Sequence, residues 1–480
     1  MRFPLLEHTQ MTTNQFLSDD TICAISTPHG VGGIAVARVS GPEAVEIADR
    51  IWKGKRLPDA ESHTAHLGTI VNQAGEMVDQ AVATVFRNPR SFTGENVVEI
   101  SVHGSRFIQR ELLRLLVEAG ARMAEPGEFT RRAFLSGKMD LAEAEAVADM
   151  IASDSRAAHR IAVSQLRGDY SKKISLLREK LIDLASLLEL ELDFSEEDVE
   201  FASRKRLREI ASEIYTEITR LHNSFAAGRA IKEGIPVAIV GATNAGKSSL
   251  LNALLGDERA IVSDIHGTTR DTIEEIISLG DYMFRFIDTA GLRHTTDEIE
   301  RIGIERSLAA AARARIVILV IDPSAPVDET MIHEIMRSTR ERDELPAHLI
   351  AVINKTDLNA TKAGKSAERI KSLTASEALL ISAREGMGIE TLAKALVAAA
   401  ERENGSADEG LLVTNERHAR AFADARESIL RVIEALDSNL SGDLIALDLR
   451  QTIHHLSSIT GDIPTSTLLY TIFSRFCIGK

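Results

Sequence analysis

Cysteine is almost missing from this chain of 480 residues. Only Cys23 and Cys477 are present, at opposite ends. Two such distant thiols build no disulfide framework, and no Cys-x-x-Cys or His-x-Glu string offers a zinc site. A reducing compartment fits. No uninterrupted apolar run reaches the roughly 18 residues of a membrane span. Residues 1–19 lack the pattern of a signal peptide or an Arg-rich transit peptide, so a cytoplasmic location is expected. Positive charge is also short: 56 Lys and Arg stand against 71 Asp and Glu, a net charge of −15. That balance excludes general coating of nucleic acid, which needs broad positive potential. An RNA partner would have to use local patches or a basic partner protein. Arg131-Arg132 and Arg204-Lys205-Arg206 with Arg208 are the local candidates, though each reads first as a solvated helix face. Apolar residues make up 44% of the chain, enough for ordinary cores. The length suggests about three domains of ~150 residues each.

What is present begins with Gly241-Ala242-Thr243-Asn244-Ala245-Gly246-Lys247-Ser248, directly after the apolar run Val237–Val240. This is G-x-x-x-x-G-K-[ST] behind a strand signal, the context of a phosphate-binding loop. Its backbone N–H groups, including those of Ala245 and Gly246, can turn inward around phosphates. Lys247 reaches the β/γ-phosphates, Ser248 can ligate Mg²⁺, and Ser249 stands beside it.

Three more strings follow, each behind an apolar run. Asp288-Thr289-Ala290-Gly291 ends Phe284–Ile287; its Asp can hold the metal through water and its Gly N–H can meet the γ-phosphate. Asn354-Lys355-Thr356-Asp357 ends Leu349–Ile353. A carboxylate at Asp357 accepts from the N1–H and N2–H₂ of guanine, a donor pair that adenine lacks. Ser382-Ala383 follows Leu379–Ile381 and offers a backbone N–H to the guanine O6. Between the first two strings lies Gly267-Thr268-Thr269-Arg270-Asp271, where the Thr269 hydroxyl can complete a Mg²⁺ shell. Each string is weak alone; their order and spacing identify a GTPase domain.

One residue is missing from that domain. Leu292 follows Gly291 where Ras-type enzymes carry a Gln that orients the attacking water. Hydrolysis therefore needs another water-orienting group, a second chain or another cation. The Asn244 amide oxygen can hold a monovalent cation such as K⁺ beside the phosphates, in the manner of an arginine finger. The plainer reading is that Asn244 stabilises its own loop.

Periodicity divides the rest. Residues from about 20 to 137 mix short β-rich runs with turns and one helix pattern, Ile108, Leu112, Leu115 and Leu116, an α+β domain. From 138 to 230 the pattern is helical. Ile174, Leu177, Leu181, Leu184 and Leu188 form a packing stripe. The acidic stretch Glu189–Glu200 reads as a solvated turn. Gly234 and Pro236 open the GTPase domain of residues 231–400. Helical patterns return over 401–480, so an α/β GTPase domain is inserted into a two-part helical one. The nucleotide core alone leaves two functions open, an enzyme driven by GTP hydrolysis and a regulatory GTPase switch of the ribosome-assembly type.

The chain also resembles the MnmE (TrmE) family, the tRNA wobble-uridine modification GTPases, from about Asp20 to Lys480. The carrying strings are Asp20-Thr21-Ile22, Ser26-Thr27-Pro28, Gly32-Gly33-Ile34, Ser91–Asn96 with Glu99 and His103-Gly104, Glu125–Thr130, Lys138–Glu145, and the ending Phe476-Cys477-Ile478-Gly479-Lys480. The resemblance implies a folate-binding-like, dimer-forming N-terminal domain. It implies a homodimer that works with the flavoprotein MnmG to place an aminomethyl or carboxymethylaminomethyl group at C5 of the wobble uridine. The one-carbon unit would come from a 5-formyl- or 5,10-methylene-tetrahydrofolate. By matching positions, Arg38, Glu99, Lys138 and Lys480 would contact the folate. Asn244 with the backbone carbonyls of Ser263, Ile265 and Thr268 would ligate K⁺. Glu300 would orient the attacking water. Cys477 would lie in the catalytic neighbourhood, against the plainer reading of a small idle thiol. Two departures stand out. The family commonly has Pro-Pro-Gly-Arg-Gly-Gly where this chain has Pro28-His29-Gly30-Val31-Gly32-Gly33, which removes any side-chain contact from an Arg at position 31. The segment Thr465–Tyr470 lacks the acidic residues often found there.

Overall fold

The computed structural model describes residues 20–193, 204–256, 261–262, 275–287, 308–340, 347–404, 411–438, 440–462, 466–474, 476 and 479. The chain divides into two compact units. One comprises the chain up to Ala148, Gln165–Ser175 and the stretch from Leu456 onward; the other comprises Asp149–Ser164 and Leu176–His455.

The first unit is built on strands β1 (Ile22–Ile25), β2 (Ile34–Ser40), β3 (Trp52–Gly54), β4 (Thr64–Val71), β5 (Met77–Phe86), β6 (Val97–His103) and β7 (Arg122–Met123). They form one sheet in the order β3-β4-β5-β6-β2-β1-β7, antiparallel except for β1 with β7. The period of two sorts each strand into two faces. Ala35, Ala37 and Val39 of β2 and Val98, Ile100 and Val102 of β6 are buried. They share a core with Val45, Ile47 and Ala48 of helix α1 (Ala44–Arg50) and Leu112, Leu115 and Leu116 of α2 (Arg106–Glu118). Each large apolar side chain buried this way contributes about 1.5–3 kcal/mol. Ser105 caps α2, its hydroxyl accepting from the Ile108 N–H at 3.1 Å. The alternate residues Ile34, Val36, Arg38, Glu99, Ser101 and His103 line the opposite face of the sheet, less covered. Helix α3 (Glu128–Leu135) and the helix Ser466–Phe473 share a small core of Leu135, Leu141, Leu469, Ile472 and Phe473.

The stripe expected at 174–188 lies on the helix Asp169–Asp193, and all five of its apolar residues are buried. That helix extends into the acidic stretch as far as Asp193, beyond the turn expected from Glu189. In the second unit the helix Arg204–Asn223 packs on Glu416–Asp437, capped by Asn415, whose side chain accepts from Arg417 N–H at 2.9 Å.

The second unit also holds a seven-stranded sheet. Its strands are β8 (Ile235–Val240), β9 (Ile261–Val262), β10 (Glu275–Leu279), β11 (Tyr282–Phe286), β12 (Ile316–Ile321), β13 (His348–Ile353) and β14 (Leu379–Leu380), in the order β14-β13-β12-β8-β11-β10-β9. All neighbours are parallel except at β9 and β10. Both faces are covered. Ala238, Val240, Val317, Leu319, Ile321, Ala351 and Ile353 enter one core, and Val237, Ile239, Ile316, Ile318, Val320 and Val352 enter the other. That is why β8, β12 and β13 read as apolar runs. From β8 the chain first builds one side of the sheet and then crosses to the other. The carboxyl end of β8 is thus a topological switch point, where open α/β sheets bind ligands.

Candidate functional site: a nucleotide cradle and an open sheet face

The phosphate-loop string leaves β8 at that switch point and leads into a helix, Lys247–Leu255. Gly246, the residue before it, has φ of 94°, and a Cβ there would stand 2.1 Å from Asn354 Nδ2. Only glycine fits. Asn244 also takes a left-handed conformation, with φ of 65°. Lys247 donates to the carbonyls of Gly241 at 2.8 Å and Ala242 at 2.9 Å, and burial pushes its ammonium below the ordinary lysine range. Ser248 and Ser249 occupy the first turn of the helix, whose N-terminus suits an anion.

The guanine-loop string arrives from β13. Asn354 is buried; its Nδ2 donates to the Ala245 carbonyl at 3.0 Å and its Oδ1 accepts from the Ala383 N–H at 3.0 Å. One side chain thus ties together the phosphate loop, its own loop and the Ser382-Ala383 loop. Thr356 joins them by donating its hydroxyl to the Ile381 carbonyl at 2.9 Å. Lys355 Nζ lies 2.7 Å from the Asn244 carbonyl oxygen. Asp357 is exposed at the mouth. The Ala383 N–H, assigned from sequence to guanine O6, is engaged with Asn354, so a base would have to share or displace that bond. The Asn244 side-chain amide has no protein hydrogen bond among the described residues, an arrangement that leaves its oxygen able to ligate a cation.

Sequence reasoning missed Asp322. It follows β12, and its Oδ2 receives Lys355 Nζ at 2.7 Å. Burial alone would raise its pKa. The bonds from Lys355 and Ser324 outweigh that and hold the carboxyl below the usual carboxylate range. A lone Asp before Pro323-Ser324 reads as a turn, and only the strand register exposes its partner.

Ser263, Ile265, Thr268, Thr269, Asp288, Thr289, Ala290, Gly291, Leu292, Glu300, Cys477 and Lys480 lie outside the described residues.

The open face of the first sheet brings together Arg38 and Glu99, directly opposed in the β2–β6 register. Arg38 donates to Glu99 Oε1 through Nε at 2.9 Å and Nη2 at 2.8 Å. Its guanidinium lies 5.1 Å from the Phe92 ring centroid and 5.6 Å from that of the fully buried Phe129, two aromatic neighbours the sequence did not single out. Lys138 donates to the Pro89 carbonyl at 3.0 Å, at the base of the loop that carries Phe92. Gly479 meets the end of β1, where its carbonyl accepts from Ser26 Oγ at 3.0 Å.

A buried ion network lies in the same unit. Arg132 bonds Asp20 Oδ1 at 2.6 Å, Glu95 Oε1 at 3.1 Å and Glu128 Oε1 at 3.1 Å. Arg122 grips Glu128 at 2.7 and 3.1 Å. Glu95 in turn accepts from Ser40 Oγ at 2.6 Å. The loop bearing Phe92 is therefore held from beneath.

The family model for the MnmE helical domain matches residues 141–477, and that for the GTP-binding protein TrmE N-terminus matches residues 21–138. A Bacteroides fragilis protein described as tRNA modification GTPase MnmE is 48% identical over 472 residues, covering 97% of this chain and 100% of that protein. Its counterpart in Cytophaga hutchinsonii is 47% identical over 469 residues, covering 98% and 100%. Among solved structures, Era in complex with MgGDPNP and a fragment of 16S ribosomal RNA is 25% identical over 40% of this chain and 66% of that one. Its TM-score is 0.28, too low to bear on the fold.

Proposed function

The chain belongs to the MnmE family of tRNA modification GTPases, and on that premise we propose that it couples GTP hydrolysis to modification of the wobble uridine at C5. It is a GTP-hydrolysing, tRNA-modifying enzyme. Its partner in the finer reading is the flavoprotein MnmG, and the product carries an aminomethyl or carboxymethylaminomethyl group. The observation that carries the nucleotide half is the Asn354 side chain, which binds the phosphate loop to both base-recognition loops.

In this reading the N–H groups of the phosphate loop and Lys247 hold the β- and γ-phosphates. Lys247 would exchange the carbonyls of Gly241 and Ala242 for phosphate oxygens. Asp357 accepts from the guanine N1–H and N2–H₂. Ser248, with Thr269, would hold Mg²⁺, which when bound neutralises charge on the β- and γ-oxygens. Asn244, with Ser263, Ile265 and Thr268, would hold K⁺, and Glu300 would orient the water. The Asn244 amide, which has no protein hydrogen bond among the described residues, supports the cation site. Equal turnover in potassium and sodium buffers would remove it.

We assign residues 20–137 to folate binding and dimerisation, 138–230 and 401–480 to the helical domain and 231–400 to the GTPase. The folate assignment is supported by the partly exposed Arg38–Glu99 pair beside the Phe92 ring, polar groups suited to a flat, polar ring system. A tetrahydrofolate bound there would supply the one-carbon unit, with Lys138 and Lys480 as further contacts and Cys477 nearby. The exposed Ile34, Leu67 and Met77 on the same domain support a homodimer through it. Deleting Cys477–Lys480 is expected to abolish uridine modification in the presence of the flavoprotein while leaving GTP hydrolysis and the melting temperature near wild type. Parallel loss of modification, hydrolysis and stability would instead make the tail a packing element.

A further inference from the structure

We infer that Asp322 is a positioning residue for nucleotide binding, clamping Lys355 onto the Asn244 carbonyl so that the guanine loop and the phosphate loop are held as one body. The placement starts from the sheet. Ile321 of β12 pairs with Ile353 of β13, and the Asn354 N–H donates to the Ile321 carbonyl at 2.9 Å. Two buried parallel strands therefore end side by side, and the next residues on each, Asp322 and then Asn354-Lys355, cannot drift apart.

Both oxygens of Asp322 are committed. Oδ1 accepts from the Ser324 N–H at 2.8 Å and from the Ser324 hydroxyl. Oδ2 accepts from Lys355 Nζ at 2.7 Å. The Asp322-Pro323-Ser324 turn thus fixes the carboxylate before it meets the lysine. Lys355 itself sits at φ of 58°, a left-handed conformation that costs a non-glycine residue energy and persists only where neighbours hold it. From there its ammonium spans two segments, 2.7 Å from Asp322 and 2.7 Å from the carbonyl oxygen of Asn244. Without the carboxylate, nothing else in this arrangement would keep a flexible four-carbon stem pointed at a single loop carbonyl. Asn244 is another non-glycine residue of the site in a left-handed conformation, which sets the course of the phosphate loop. Asp322 touches neither base nor phosphate; it acts through Lys355.

The inference rests on the guanine-nucleotide reading of this site, and titration of a fluorescent GDP analogue into the full-length protein separates the two. Failure of the wild-type protein to bind would remove that reading. With wild-type binding intact, Asp322→Asn is expected to weaken affinity about tenfold, the scale of one lost charge-assisted hydrogen bond. Lys355→Met is expected to weaken it at least as much. The double variant is expected to bind no more weakly than Lys355→Met alone, because the aspartate acts only through the lysine. Wild-type affinity in Asp322→Asn, or losses that multiply in the double variant, would overturn the inference. Should Asp322→Asn fold poorly, Ser324→Ala removes one hydroxyl that steadies the carboxylate. It should weaken GDP binding a few-fold, and only when Lys355 is present; an effect independent of Lys355 overturns the inference equally.

Discussion

At the scale of single residues, the proposed function separates groups that would touch a ligand from groups that hold the fold in place. Asp357 belongs to the first in that proposal. Replacing its carboxylate by an amide in Asp357→Asn presents a donor to the N2 side of the base. GTP binding should weaken by more than tenfold while xanthosine triphosphate, with an acceptor at that position, gains relative to it; unchanged GTP affinity would remove Asp357 from the base site. Glu128 belongs to the second. Its carboxylate is fully buried. Burial pushes its pKa up, but the Arg122 bond, the Glu125 N–H and the charges of Arg132 and Arg122 outweigh that and hold it below the usual carboxylate range. A depressed folded-state pKa contributes stability above the unfolded value, and that contribution is lost as pH falls through the folded value. Acid unfolding should therefore steepen as the pH falls below the ordinary glutamate range. Glu128→Gln should cost about 1–3 kcal/mol at neutral pH, since it removes charge-assisted bonds to Arg122 and Arg132 while Arg132 keeps Asp20 and Glu95 and Arg122 keeps Asp20. It should also flatten that acid limb in pH-dependent melting; an unchanged acid limb would contradict this account. The candidate nucleotide-site residues could be proposed from sequence because their strings are contiguous. Asp322, Phe92 and Phe129 could not, because their partners come from strands and loops far away in the chain.

At the scale of elements, the apolar periods set what packs. The alternation within β2 and β6 accounts for Arg38 and Glu99 sharing the less covered face of the sheet, though only the family resemblance singled them out in the sequence, and the 174–188 stripe told which side of a helix would be buried. What the sequence did not convey was where backbones approach closely. Gly228 lies within the helix Phe225–Glu233, and a Cβ there would stand 2.3 Å from the Val413 carbonyl oxygen. Val413 is anchored by its N–H to Ser224 Oγ at 3.1 Å, so it cannot easily withdraw. Helix propensity favours Gly228→Ala by up to ~1 kcal/mol, whereas overpacking costs about 1–3 kcal/mol. The second effect should win, and thermal melting of Gly228→Ala should show a destabilised protein. A raised melting temperature would mean that the contact yields freely.

At the scale of the whole molecule, a GTPase sheet with its loops at the switch point and an α+β unit with an open, polar-cornered face are parts of one chain. The nucleotide strings alone left a regulatory switch open. The family match over residues 21–138 and 141–477 places the chain among tRNA modification GTPases instead. Composition was silent on this, since a net charge of −15 does not suggest an RNA substrate. The central claim is that GTP turnover at Lys247 and Asp357 serves wobble-uridine chemistry. Mass spectrometry of tRNA nucleosides tests it directly, in cells lacking this protein and in cells given back wild type or Lys247→Ala. The account predicts loss of the C5-modified wobble uridine, its return with the wild-type chain, and no return with Lys247→Ala. Full modification in the cells lacking the protein, or rescue by Lys247→Ala equal to wild type, would contradict it.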